Sequence, residues 1–440
     1  MSAPFIGCTV ASPAYHAHAR VLAESFREHH PDETFVVLDL GLAGAGAGGV
    51  FETETEGVEV LDPATVVGSE AELERLGLAF TIQGLAGALK VRLLRHLLDR
   101  GDGSVLLIDS DICVYGELGD LGERAADEGA VLTTHLITPH EAAELPTLPA
   151  GTFNSGLIAV GEPGRALLEW WEARTARQCI FRPSEGQVWE QSWLALAPAF
   201  FEVGVLRDPG VNAMTRELLD RDIDWGDGRP HLAGSPLRAF HYSGPYSPHR
   251  PELLLSQAPE GVHVVVRPEA GTGVGAELAW LSLEDKPGAL RMSETYAERL
   301  LAAGFDDAIG ATPPFAREPS GRPLITAMRC AYRDALVKAE RDGSEPPPNP
   351  FAGSSWVEFV AWLAAPPDPE AASKGLSRFA IGAWAALEVD SAFPDIRGAD
   401  AEPFLQWLTE WIERDARGLP PRLHPGAGAR RRRRRRMLRR

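Results

Sequence analysis

Val105-Leu-Leu-Ile108 runs apolar and then stops at Asp109-Ser110-Asp111, before Ile112-Cys-Val-Tyr-Gly116 resumes. Nothing polar interrupts the first piece, so it reads as a short strand buried on both faces. Side chains alternate along a strand, so Asp109 and Asp111 point to one side where the strand ends. Two carboxylates facing one way repel each other unless a cation lies between them. A hard divalent ion, Mn²⁺ or Mg²⁺, suits such a pair and keeps positions open for phosphate oxygens. The plainer alternative is a strand end followed by a polar turn.

Outward from this strand, the first 250 residues alternate strand and helix signals. Strands are expected at Phe5–Val10, Thr34–Leu40, Val58–Leu61, Ala130–Leu136, Gly151–Val160 and Pro236–Phe240. Helices are expected at Tyr15–His30, Arg165–Gln178, Gln187–Leu196 and Thr81–Leu98, the last with Ile82, Leu85, Leu89, Leu93, Leu94 and Leu97 at helical spacing. This alternation predicts an α/β fold with a mixed, mostly parallel sheet. Beyond residue 285 the signals become helical: Ser293–Ala303, Pro323–Arg341, Ser355–Ala364, Leu376–Leu387 and Glu402–Arg417 each carry apolar residues on one face. Glu345-Pro-Pro-Pro-Asn-Pro350 is a stiff connector within this region. The expected organisation is an α/β domain over residues 1–265, an all-helical domain over 285–420 whose tryptophans form its core, and a tail over 425–440.

At 440 residues the chain is longer than one core usually grows. Its composition, 44% hydrophobic and 24% charged, is that of a folded soluble protein. No stretch approaches the roughly 18 apolar residues of a membrane span, and no basic-then-apolar leader opens the chain. Cys8, Cys113, Cys179 and Cys330 are scattered without zinc-like spacing, which suits free thiols in a cytoplasm. Net charge is −19, and it would be −28 without the nine arginines among residues 430–440. Such a run is expected to stay unpacked. It suits nonspecific contact with anionic lipid at the inner membrane face or with nucleic acid, or a fold back onto the acidic body. The acidic body argues against an enzyme specific for nucleic acid.

Gly44-Ala-Gly46-Ala-Gly48-Gly49 satisfies the dinucleotide pattern on paper. That fingerprint needs a strand before it and a helix after it. Here Val50–Val60 follows, acidic and β-prone, so the run is read as a flexible loop.

Four further pieces suit the aspartate pair. Ala11-Ser12-Pro13-Ala-Tyr15 sits where the first strand ends, with Ser12 and Tyr15 placed to meet a base; Ser12 or Pro13 equally starts a helix. Lys90 interrupts an apolar helical face and either reaches a phosphate or snorkels to solvent. Asn154-Ser155-Gly156 opens an apolar strand with small and amide side chains that admit a sugar's hydroxyls, or makes a simple turn. His241, in Phe240-His-Tyr-Ser-Gly244, is a competent third ligand beside two carboxylates, although a lone histidine there is more often structural.

In this order the pieces resemble the GT-A-fold glycosyltransferases, with the retaining family-8 type as the nearest comparison, over residues 4–250. The resemblance implies that Asp109 and Ser110 contact the nucleotide and that Asp109, Asp111 and His241 bind Mn²⁺ or Mg²⁺. It implies that Ala11, Ser12, Tyr15, Lys90, Ser155, Gly156 and Gly244 line the donor, and that Asn154 and the pair Glu190-Gln191 lie at the transferring sugar. Two departures stand out: Ser247-Pro248 replaces the family's Lys-Pro, with Arg250 as the one nearby substitute, and Ala11-Ser12-Pro13 lacks the family's Asp or Asn beside the base.

The expected activity is transfer of a sugar from a nucleoside diphosphate, with UDP the expected nucleotide, to an acceptor hydroxyl with retention. One rival is a non-catalytic sugar-nucleotide or glycan binder on the same scaffold. Another is an aspartyl-phosphate phosphohydrolase, which would carry Asp-x-Asp on its first strand.

Overall fold

The computed structural model describes residues 4–43, 49–101, 103–256, 262–266 and 276–425. The glycine run at 44–48 and the arginine tail lie outside them. The chain divides into two compact units. The first comprises Met1–Leu73, Ile82–Val265 and Glu277–Pro314; the second comprises Glu74–Thr81, Val266–Ala276 and Phe315–Arg440.

The first unit is built on a seven-stranded sheet. Its strands are β1 Phe5–Ala11, β2 Phe35–Asp39, β3 Val58–Leu61, β4 Ser104–Ile108, β6 Ala130–Thr134, β7 Phe153–Val160 and β8 Gly204–Leu206, while β5, Ile112–Val114, lies outside this sheet. The order is β8-β6-β7-β4-β1-β2-β3. β7 alone runs antiparallel, against both β4 and β6; the other pairings are parallel. The sheet is therefore mixed and mostly parallel, as its strand–helix alternation predicts. β1, β2, β4 and β7 are buried along their whole length, which is why their sequences are almost uninterrupted apolar runs.

A second, three-stranded sheet places the site. β5 pairs antiparallel with β10, Ala239–His241, and β10 pairs parallel with β9, Ala213–Met214. His241 lies opposite Ile112, the residue after Asp111. Ile112–Val114, outside the expected strands, thus brings the segment that ends the expected Pro236–Phe240 strand beside the aspartate turn.

The helix Ile82–Arg100 extends the expected segment by two residues at its C-terminal end, and Arg165–Gln178 has the expected bounds. One reading fails. Gln187–Leu196 is not one helix: Gln187–Val188 is a strand paired with Phe181–Arg182, and only Gln191–Leu194 is helical. Trp189, between them, holds a positive φ of 50°, which breaks helical continuity. The helix Pro287–Ala302 begins before the expected Ser293, with its proline at the first helical turn. It packs within the first unit, where Tyr296 stacks on Tyr242 at 3.8 Å.

The second unit is helical, with Thr326–Asp342, Trp356–Ala364, Arg378–Ala386 and Ala401–Asp415 around Phe359, Phe379, Phe404 and Leu408. Gly382 lets two helices meet closely: a Cβ there would lie 2.2 Å from the Ala327 carbonyl oxygen. Ser355 and Glu358 cap Trp356–Ala364 reciprocally. Trp411 is buried in this core, while Trp362, Trp384 and Trp407 are half-buried at its margin. Among the described residues, no helix is long and apolar enough to cross a membrane.

Candidate functional site

Asp109 leaves β4 at its C-terminal end, and its amide donates to the Gly156 carbonyl at 2.7 Å. Ile112 N–H returns to the Asp109 carbonyl at 2.9 Å, closing the tight turn that carries Ser110 and Asp111. His241 then reaches Asp111, with Nε2 3.1 Å from Oδ1. One ligand atom each from Asp109, Asp111 and His241 lies within 4.8 Å of the others. Asp109 and Asp111 keep 21% and 13% of their side-chain surface exposed, enough for solvent to reach them, whereas His241 is buried. Gly156 makes the approach of His241 feasible: a Cβ there would sit 2.5 Å from its Cε1.

Electrostatics bind this group together. Burial is the largest influence on Asp109 and raises its pKa, against Lys90 and His241, which lower it. Burial also opposes charge on Asp111, but His241 outweighs it and holds that carboxyl below its usual value. His241 is raised for the converse reason: Asp111, its hydrogen bond and Asp109 outweigh burial.

A second cluster adjoins the first. Lys90 Nζ lies 2.7 Å from Asp109 Oδ1 and 2.9 Å from Glu190 Oε1. Ser155 Oγ donates to Glu190 Oε1 at 2.6 Å, and Trp171 Nε1 donates to the Glu190 carbonyl at 2.9 Å. Burial works against charge on both Lys90 and Glu190, yet Asp109 and then Glu190 raise the lysine, and Lys90 and then Ser155 lower the glutamate. Gly87 admits Glu190 to the lysine helix, since a Cβ there would stand 2.1 Å from Oε2.

Behind the ligands lies a polar layer of which sequence reading found only Asn154. Asn212 Oδ1 faces His241 Nδ1 at 3.1 Å, and its Nδ2 donates to Thr133 Oγ1 and to Asn154 Oδ1 at 2.8 and 2.9 Å. Asn154 Nδ2 reaches His135 Nε2 at 3.2 Å. Asn212 takes φ 54°, a left-handed conformation that asparagine tolerates better than most residues. His18 is hydrogen-bonded to Tyr296 at 2.8 Å and pushed down to about 4 by burial, against an upward pull from Asp111. No local pattern marks Asn212, Thr133, His135 or His18, because they come from the end of β6, the segment before β9 and the first long helix, and meet only in the fold.

The remaining expected residues divide. Tyr15 stands beside His18 with ring centres 5.1 Å apart. Burial first, then the charges of Asp111 and Asp109, raise its pKa. Ser12 precedes the short helix Pro13–Tyr15, with its carbonyl rather than its hydroxyl accepting the Tyr15 amide. Ala11 is fully buried at the end of β1, opposite Asp39. Ser110 is buried in the aspartate turn. Gln191 begins the short helix after Glu190. Gly244, at φ 97°, follows β10 and packs on Leu255. Arg250 does not join these groups through any described contact: it is largely exposed and pairs with Glu252.

No protein-family model matches this chain, and no curated relative does. Solved structures that it resembles include the galactosyltransferase LgtC in complex with donor and acceptor sugar analogues, at 18% identity and TM-score 0.34 over 55% of this chain and 88% of that one. An active-site mutant of LgtC matches at the same identity and TM-score, over 89% of its own length. A glycosyltransferase involved in glycosylation of the major capsid of PBCV-1 matches at 10% identity and TM-score 0.32, over 95% of its length. At such values the likeness decides nothing about this chain's chemistry.

Proposed function

We propose that this protein is a metal-dependent glycosyltransferase that moves a sugar from a nucleoside diphosphate, with UDP the expected carrier, to an acceptor hydroxyl. The observation that carries this reading is the convergence of Asp109, Asp111 and His241 within 4.8 Å at the C-terminal end of β4. In open α/β sheets that edge is where nucleotides bind. Two carboxylates and an imidazole suit Mn²⁺ better than Mg²⁺, because imidazole is a poor partner for the harder ion. The order of motifs supports the same reading through the chain's resemblance to family-8 enzymes, and retention of configuration follows from that resemblance.

Bound there, a divalent ion supplies Lewis-acid stabilisation of the departing diphosphate. The protein's own groups do the rest. Lys90 favours the ionised form of Glu190, opposes the burial that raises Asp109, and holds both carboxylates in place. Its contacts to them use two of the ammonium's three donors, leaving one for a phosphate oxygen. Ser155 and Lys90 share Glu190 Oε1 while Cys179 and Gly87 cover Oε2, so Glu190 orients rather than attacks. Gln191, whose side chain makes no hydrogen bond among the described residues, is free to steady the oxocarbenium-like centre. Asn154, Ser155 and Gly156 line the sugar, while Ser12, Tyr15, Ser110 and Gly244 border the nucleotide; Ala11, fully buried in β1, supports them from behind.

Calorimetric titration with UDP, with GDP as control, tests the reading in the presence and absence of Mn²⁺. Mn²⁺-dependent UDP binding is the expected result. Absence of binding by either nucleotide would overturn it.

A further inference from the structure

A histidine ligates a metal through whichever ring nitrogen lacks a proton, and that choice belongs to the partner of the other nitrogen. At His241 the choice can be derived from the backbone outward. The Gly156 amide, which can only donate, points at Asn154 Oδ1 at 2.8 Å. That fixes Asn154's oxygen on this side and its amino group toward His135 Nε2, so His135 accepts there. His135 Nδ1 then carries the proton, as it must to meet the Gly151 carbonyl at 2.7 Å.

Asn212 is constrained twice. Asn154 Oδ1 is an acceptor, so the Asn212 atom facing it must donate. Thr133 has one hydroxyl proton, which is directed at the backbone carbonyls of Leu157 and Asn154, 2.9 and 3.2 Å away. Its oxygen therefore accepts from Asn212 as well. Both protons of the Asn212 amino group are used, and its carbonyl oxygen is left facing His241 Nδ1.

We propose that Asn212 is a positioning residue for the cation site: held by Thr133 and Asn154, its carbonyl oxygen keeps a proton on His241 Nδ1 and fixes the ring so that Nε2, 3.1 Å from Asp111 Oδ1, is the nitrogen left to meet the ion. The orientation is set before any ion arrives, because every link runs back to a backbone group of fixed polarity. The inference rests on the metal-binding reading above, and it names the device that makes His241 a ligand.

The test compares the full-length protein with Asn212→Gly and Asn212→Asp. Glycine suits the left-handed backbone at 212 and removes the amide, while aspartate restores an acceptor opposite Nδ1. Mn²⁺ affinity is read from the electron paramagnetic resonance of free Mn²⁺. The proton position is read from long-range ¹H–¹⁵N spectra of the metal-free protein at alkaline pH, with His241→Gln identifying the signal. Asn212→Gly is expected to weaken Mn²⁺ binding about 10- to 100-fold and to lose the Nδ1–H pattern. Asn212→Asp is expected to recover part of both. Unchanged affinity and ring pattern in Asn212→Gly would overturn the inference while leaving the metal site intact. If the wild type fails to bind Mn²⁺, the metal reading falls, and the ring pattern alone then decides the relay.

Discussion

The two polar groups that meet at Asp109 each set carboxylate against a nitrogen base, and they behave oppositely. Lys90, Glu190 and Ser155 close on themselves: the ammonium is matched by carboxylates, the Ser155 hydroxyl shares Glu190 Oε1 with it, the Cys179 thiol faces Oε2 at 3.8 Å, and the Trp171 indole serves the Glu190 backbone carbonyl. Asp109, Asp111 and His241 leave an excess of negative charge facing solvent. A closed cluster holds shape, whereas an open one holds a ligand. Asp109 belongs to both, so the balanced cluster serves as the rigid mount of the unbalanced one.

The sharpest way to break this contrast is Lys90→Met. It leaves Glu190 buried and unmatched, and a loss of about 3–5 kcal/mol is expected in chemical denaturation. The double variant Lys90→Met/Glu190→Gln should regain more than half of that loss. A double variant no more stable than the single would show that the cluster is not a balanced pair.

Asp111→Asn strikes the open group instead. It should lower turnover about 10²-fold and leave the denaturation midpoint near the wild-type value. Near-wild-type turnover would remove Asp111 from the site.

A change of pH separates the groups without substitution. Within the fold, burial pushes His18 down to about 4 and His135 to about 3, with Arg216 also lowering the latter, while unfolded histidine titrates near 6.5. A folded pKa below the unfolded one means that the unfolded chain gains protons first as pH falls. Stability should therefore decline from about pH 6.5 towards pH 4, by about 2 kcal/mol per histidine at pH 5. Lys90 is raised and Glu190 lowered, so their pairing should be unaffected across that interval. Equal denaturation midpoints at pH 7 and 5 would contradict the burial of the two histidines.

Gly87→Ala should have the smallest effect, about 1–3 kcal/mol, because the new methyl must displace a Glu190 held by Lys90 and Ser155. A melting curve like that of the wild type would mean that Glu190 is free to move.

Much of this was legible in the chain. The β4 apolar run ending in Asp109 and Asp111 is visible because burial and period-two alternation are local properties. The helix bearing Lys90 is visible for the corresponding reason at period 3.6. Gln187–Leu196 misled, since its apolar spacing resembles a helix while a positive φ at Trp189 interrupts the backbone. Arg250 looked like a substitute for a missing lysine and is instead exposed beside Glu252.

The sequence by itself determined where strands end and which carboxylates gather there, because those follow from local hydrophobic pattern and side-chain alternation. Only the tertiary structure decided which partner each polar group would have. It set Lys90 between Asp109 and Glu190, brought His241 to Asp111 through the β5–β10 pairing, and placed Asn212 behind the imidazole. These partners lie 19 to 130 residues apart. Hydrogen bonds and ion pairs act over a few ångströms, so no window of sequence contains them, and packing of the sheet and its loops selects them.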